Sequence, residues 1–150
     1  MDHQLSAEEL PPISFYKEDV EFTLSDEQKL ANWILSIIQA ENCQLQILSY
    51  IFCSDQYLHQ INLEYLQHDT YTDIITFPYE SPPLIHGDIF ISIDRVRENA
   101  QAFKVSFEEE LRRVIIHGVL HLCGYPDKTE EEASKMRQKE EEALSKWSEI

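Results

Sequence analysis

His117 and His121 stand four positions apart, and Asp127 follows six positions later. On a helix, positions i and i+4 share a face, so both imidazoles can turn toward one cation. Gly124 can take the left-handed conformation that turns the chain out of such a helix. Pro126 keeps the exit extended, and Asp127 can return beneath the histidines as a third ligand. Two histidines and one carboxylate leave the fourth tetrahedral position to water, the mark of a catalytic rather than a structural zinc. Such an ion lowers the pKa of bound water toward about 7 and polarises a substrate oxygen. The plainer alternative is a pair of core histidines with satisfied ring nitrogens, and the pair alone does not exclude it. The glycine and the further ligand type tip the balance, because ligands and glycine at 0, +4, +7 and +10 follow the metzincin spacing.

One absence narrows the chemistry. A zinc peptidase of this pattern carries glutamate directly after the first histidine as general base. Here that position is Gly118, which has no side chain to move protons. A peptidase therefore loses its main catalyst, and Gly118 is left to permit close helix packing or substrate approach. Cys123 lies between the candidate ligands but projects from another side of the helix than His121, so it is assigned to packing.

The elements that must hold these residues can be read in order. Residues 13–17 suit a short strand. Ser25 and Gln28 have capping-box spacing for a helix with Leu30, Trp33, Ile34, Ile37 and Ile38 as its apolar stripe. Residues 45–53 are dense in β-branched and aromatic types and read as a strand. Ser54 caps a helix to about Leu66, with Leu58, Ile61 and Tyr65 inward. Residues 71–78 read as a strand stopped by Pro78. The segment at 80–85 reads as a loop because of its prolines. Residues 87–93 read as a strand with Ile89, Ile91 and Ile93 on one face, after which Asp94 caps a helix to about Lys104.

Ser106 and Glu109 have capping-box spacing for the histidine helix. Its second half is apolar on nearly every side, which puts it at the centre of the fold. Thr129 and Glu132 repeat that spacing for a closing helix to about Trp147, whose glutamate runs face water. About four strands and about five helices leave the class α/β or α+β; the expectation is α+β, one domain over residues 1–150 with a mixed sheet.

The chain has 150 residues, 43% hydrophobic and 27% charged, which suits one globular domain. No apolar run approaches the roughly 20 residues that span a bilayer. The N-terminal twelve residues have neither a basic start nor an apolar stretch, so no secretory signal is expected and the cytoplasm is the expected compartment. Cys43, Cys53 and Cys123 are odd in number and lack CxxC spacing, which predicts buried free thiols in a reducing compartment. The net charge of −16 argues against bulk attraction to nucleic acid. Residues 1–90 hold only Lys17 and Lys29 against 15 acidic residues, while residues 91–150 hold ten basic against 13 acidic. Any anionic substrate must meet its basic surface in the second part.

The string HGVLHLCGYPD at 117–127 resembles the H-G-x-L-H-L-x-G-Y-x-[HD] signature of the YbeY family, bacterial zinc-dependent endoribonucleases implicated in ribosomal RNA maturation. Asn62, Tyr65, Asp69, Thr72, Asp73, Ile74, Ile75, Phe77 and Pro78 are similar to that family's second motif. Gly87-Asp88-Ile89 is similar to its third. By this resemblance, one Zn2+ would be held by His117, His121 and Asp127, with Thr72, Asp73 and Asp88 in supporting roles near the groove. The implied activity is single-strand-specific cleavage in 16S ribosomal RNA 3′ end maturation and ribosome quality control, with RNA, the ribosome or assembly proteins as partners and no membrane. For Asp73 and Asp88, turn or strand-start chemistry is the simpler role.

Two positions depart from the family pattern. Asp127 stands where histidine is frequent, which lowers the net charge of the site from +2 to +1 and predicts a less acidic bound water. Leu66 stands where many members have arginine, a natural phosphate contact. Arg95, Arg97, Lys104, Arg112 and Arg113 are the candidates to replace it, although solvated helix charge is the simpler role for most. The alternatives to the ribonuclease are a metal-dependent hydrolase of another substrate and a ribosome assembly factor with a mainly structural metal.

Overall fold

A computed structural model describes residues 12–150. The N-terminal segment 1–11, most of the stretch read for a signal, lies outside the described residues. The order is β1 (Ile13–Lys17), α1 (Glu27–Ala40), β2 (Gln44–Cys53), α2 (Asp55–Leu66), β3 (Ile74–Pro78), β4 (Leu84–Ser92), α3 (Ile93–Phe103), α4 (Phe107–Leu122) and α5 (Glu130–Ser145), then a 3-10 turn at Trp147–Glu149. The architecture is α+β, with a four-stranded mixed sheet in the order β1-β2-β4-β3. β1 and β4 run parallel to β2, and β3 is antiparallel to β4 at one edge.

Strand alternation divides the sheet into two faces. Leu48, Tyr50 and Phe52 of β2 and Ile89 and Ile91 of β4 are buried in the main core with α1, α4 and part of α5. The opposite face carries a smaller cluster of Cys53, Leu58, Ile61 and Ile75 beneath α2. Buried hydrogen bonds tie the main layers together. The Tyr50 hydroxyl donates to the carbonyl of Ile115 at 3.0 Å, and the Trp33 indole donates to that of Ala143 at 2.8 Å.

From Val114 to Leu122 every residue of α4 is buried except His117 and His121. The helix is therefore central, and its one opening is the face those histidines share. Gly118 sits where α4 meets the sheet. A Cβ there would lie 2.9 Å from Ile74 Cδ1 and 3.0 Å from Ile89 Cδ1. Close packing is thus the role of this glycine.

Several boundaries differ from the sequence expectation. The Ser25 box does not form; α1 starts after Asp26, which is left-handed with φ 55° and makes no side-chain cap. Ser92 rather than Asp94 caps α3, accepting from Arg95 N at 3.1 Å. Ser54 caps α2 as expected, accepting from Tyr57 N at 3.0 Å, and Asp94 accepts from Asp55 N, the first N–H of that helix, at 2.9 Å. Pairing with β2 extends β4 back to Leu84, and Ile93 passes into α3 while staying buried. β3 begins only at Ile74, and Tyr65 is exposed, with its ring edge on Phe77. All three cysteines are free; Cys53 is buried, whereas Cys43 and Cys123 are half-buried.

Placing a carboxylate at position 118 would bury it among these isoleucines. Gly118→Glu is therefore expected to lower stability by at least ~3 kcal/mol, the scale of an uncompensated buried charge, and to confer no peptidase activity. Urea unfolding of the two proteins measures the first, and a casein digest checks the second.

Candidate metal centre

The end of α4 is built by hydrogen bonds that the sequence around Gly124 dictates. Gly124 N donates to His121 O at 3.0 Å and Tyr125 N to Leu120 O at 3.0 Å, the two bonds of a Schellman motif. Gly124 has φ 109°, in the region that favours glycine. The turn brings the Tyr125 carbonyl to 2.8 Å from His121 Nδ1. The loop is also anchored at its side. The Tyr125 hydroxyl donates to Glu41 Oε1 at 2.6 Å, and Lys139 reaches Glu41 Oε2 at 3.2 Å.

Asp127 then lies under both rings. Its Oδ2 is 3.2 Å from His117 Nε2 and 3.3 Å from His121 Nε2. One ligand atom from each of the three residues falls within 4.8 Å of the others. The rings are nearly perpendicular, at 87°, with centroids 4.5 Å apart. The far side of each ring decides its tautomer. A carbonyl only accepts, so His121 Nδ1 carries the hydrogen that meets Tyr125 O. His117 Nδ1 meets Glu140 Oε2 at 2.5 Å, and an ionised carboxylate also only accepts. In the neutral rings both Nε2 lone pairs are thereby turned toward the Asp127 oxygen. Three electron-pair donors facing one point suit a cation between them, and the donor set fits zinc.

Glu140 is 2% exposed and is shared with Arg113, whose Nη1 lies 3.1 Å from Glu140 Oε1. Burial by itself would raise the Glu140 carboxyl, but the His117 hydrogen bond and charge, with Arg113, overcome it and hold the group below its ordinary value of 4.5. Asp73 is affected the other way. Burial raises its pKa, while the charges of Arg113 and His117 partly oppose the rise.

The structure gathers some of the residues expected at the site and separates others. His117, His121 and Asp127 come together. Thr72 and Asp73 precede β3, with Asp73 near Arg113 and His117. Asp88 lies on the other sheet face, where it accepts the Tyr79 hydroxyl at 2.7 Å and lines a cavity of about 500 Å³ with Tyr57, Tyr65, Phe77 and Phe90. Leu66 is exposed at the end of α2. Of the five basic candidates, Arg113 adjoins the centre. Arg95 is paired with Asp55 and Glu98, Arg97 with Asp94, and Arg112 lies over the Trp147 ring. Lys104 is the C-cap of α3.

Glu140 and Tyr125 are the residues that sequence reasoning missed. Tyr125 acts through its backbone carbonyl, which no residue type announces. Glu140 did leave a signal: Met136, Glu140 and Ala143 are buried at helical spacing, so one glutamate of the α5 runs occupies the inward stripe.

The family model for endoribonuclease YbeY matches residues 12–148. This chain belongs to the YbeY endoribonuclease family. It is thus a nuclease, a hydrolase whose substrate class is RNA. A YbeY endoribonuclease of Flavobacterium psychrophilum is 54% identical over 132 residues, covering 88% of this chain and 94% of the relative. One from Christiangramia forsetii is 53% identical over 133 residues, covering 89% and 92%. The solution structure of TM1509 from Thermotoga maritima matches with a TM-score of 0.62 at 28% identity, covering 91% of this chain and 92% of that one. Among the described residues no helix is long and apolar enough to cross a membrane.

The depressed Glu140 pKa fixes a sign. A carboxyl held below its unfolded value stabilises the fold above that value, and the contribution is lost as pH falls through the folded-state pKa. In chelator, the stability lead of wild type over Glu140→Gln is expected in full at neutral pH and should shrink below the ordinary glutamate value of 4.5. Urea midpoints across that range measure it.

Proposed function

We propose that this YbeY-family chain is a zinc-dependent endoribonuclease that cuts single-stranded ribosomal RNA in the cytoplasm. Its setting would be 16S ribosomal RNA 3′ end maturation and ribosome quality control. The observation that carries the reading is the convergence of His117 Nε2, His121 Nε2 and Asp127 Oδ2, with each histidine Nδ1 already engaged. These three residues would hold the ion. Bound there, zinc would supply Lewis-acid stabilisation of charge developing on a phosphate oxygen. Asp127 is 37% exposed, so the cluster stays open to a substrate on one side. Asp73, close enough to feel His117, and its neighbour Thr72 would orient the strand. Glu140 is bonded behind His117 and is not aimed at the cluster, which favours an open catalytic centre over a closed structural one.

The charge of the chain bears on how RNA arrives. Asp127 belongs to the cluster and Asp73 lies near it, while Arg113, the adjoining guanidinium, is engaged by two carboxylates. A net charge of −16 repels a free strand at long range. This supports delivery of the RNA by the ribosome or an assembly protein.

Metal content and cleavage of a single-stranded ribosomal fragment test the reading in wild type, His117→Ala and Asp127→Ala. Each substitution is expected to weaken zinc by more than about 100-fold, the upper end of what a residue outside the ligand set costs, and to abolish cleavage. Metal unaffected by both changes would refute the ligand set. Cleavage that persists without metal would refute the zinc dependence.

A further inference from the structure

Behind His117 lies a run of buried charge. The Arg113 guanidinium grips Glu110 with two N–H groups, Nε to Oε1 at 3.0 Å and Nη2 to Oε2 at 2.5 Å. Its Nη1 donates to Glu140 Oε1 at 3.1 Å. Glu140 Oε2 takes the His117 Nδ1 hydrogen at 2.5 Å. Both glutamates are 2% exposed. The bidentate Glu110 pair already neutralises Arg113, so Glu140 is a second buried carboxylate on one guanidinium. Burying it is costly unless another partner compensates. Arg137 Nε stands off at 3.9 Å from Oε1, and the partner hydrogen-bonded to Oε2 is His117.

We infer that Glu140 is a positioning residue for the metal centre. It keeps the His117 hydrogen on Nδ1 and fixes the ring with Nε2 toward the cluster, while Arg113 holds Glu140 in place. Arg113 thus acts on the ion through Glu140 rather than by touching it. The inference rests on the reading of His117 as a ligand. It extends that reading from three residues to a relay of four, Glu110, Arg113, Glu140 and His117, spanning α4 and α5.

Zinc affinity, measured by competition with a chromophoric chelator, tests the relay in wild type, Glu140→Ala, Glu140→Gln, Arg113→Met and the Glu140→Ala/Arg113→Met double variant. Removing a carboxylate behind a metal histidine costs about 10–100-fold in affinity, and that loss is expected for Glu140→Ala. Arg113→Met should weaken zinc in the wild-type background but add little once Glu140 is gone. Losses that add would overturn the claim that Arg113 acts on the ion through Glu140. Nitrogen-15 shifts of zinc-loaded wild type should report hydrogen on His117 Nδ1. Zinc bound by Glu140→Ala as tightly as by wild type would overturn the relay and leave the ligand set standing. Wild type that binds no zinc would overturn both. If Glu140→Ala does not fold in chelator, Glu140→Gln carries the test. Its amide cannot accept from both His117 and Arg113, so unchanged affinity there would equally overturn the relay.

Discussion

The close seating of α4 on the sheet governs the rest of the molecule. Gly118 lets the helix backbone approach Ile74 and Ile89, and that approach buries the helix from Val114 to Leu122 on every side but one. A helix so enclosed can hold polar groups only where their hydrogen bonds are completed. His117 and His121 meet this condition through Glu140 and the Tyr125 carbonyl. The candidate metal face is therefore the single polar window in an apolar rod, and its orientation follows from how the rod packs.

The same constraint explains why a metzincin-like spacing serves another chemistry here. The position that bears the general base in a peptidase points into the β3–β4 interface in this fold, where a side chain has no room. The histidine pair, the glycine turn and the returning aspartate have room to form, because they depend on one open helix face and on helix termination. What the helix packs against decides the remaining position.

Local physics made much of this legible in the sequence. The i, i+4 histidines, the glycine stop and the capping pair Thr129–Glu132 are short-range devices, and each forms as its spacing implies. The failures share a cause of another kind. Asp94, in the first turn of α3, turns its carboxylate to the first N–H of α2, and β4 gained Leu84 and Ile85 from a proline-rich segment by pairing with β2. Glu140 was hidden among glutamates that do face water. Its burial depends on α5 lying against α4, and only the inward stripe through Met136 and Ala143 hints at that. Tertiary pairing overrides propensity at such positions, and no window of a few residues contains the partner. The family resemblance reached the ligand types, but it could not supply the groups that orient them.

The loop that carries Asp127 is largely assembled from the protein's own bonds: the Schellman pair, the Tyr125 hydroxyl on Glu41 and the Lys139 bridge. A ligand delivered on such a brace is preorganised, so little conformational freedom remains to be surrendered when a cation arrives. Occupation of the site by a cation would then need no hinge. Exchange of an ion held there would be governed by solvent reaching its uncovered side, a property of the aperture rather than of the backbone.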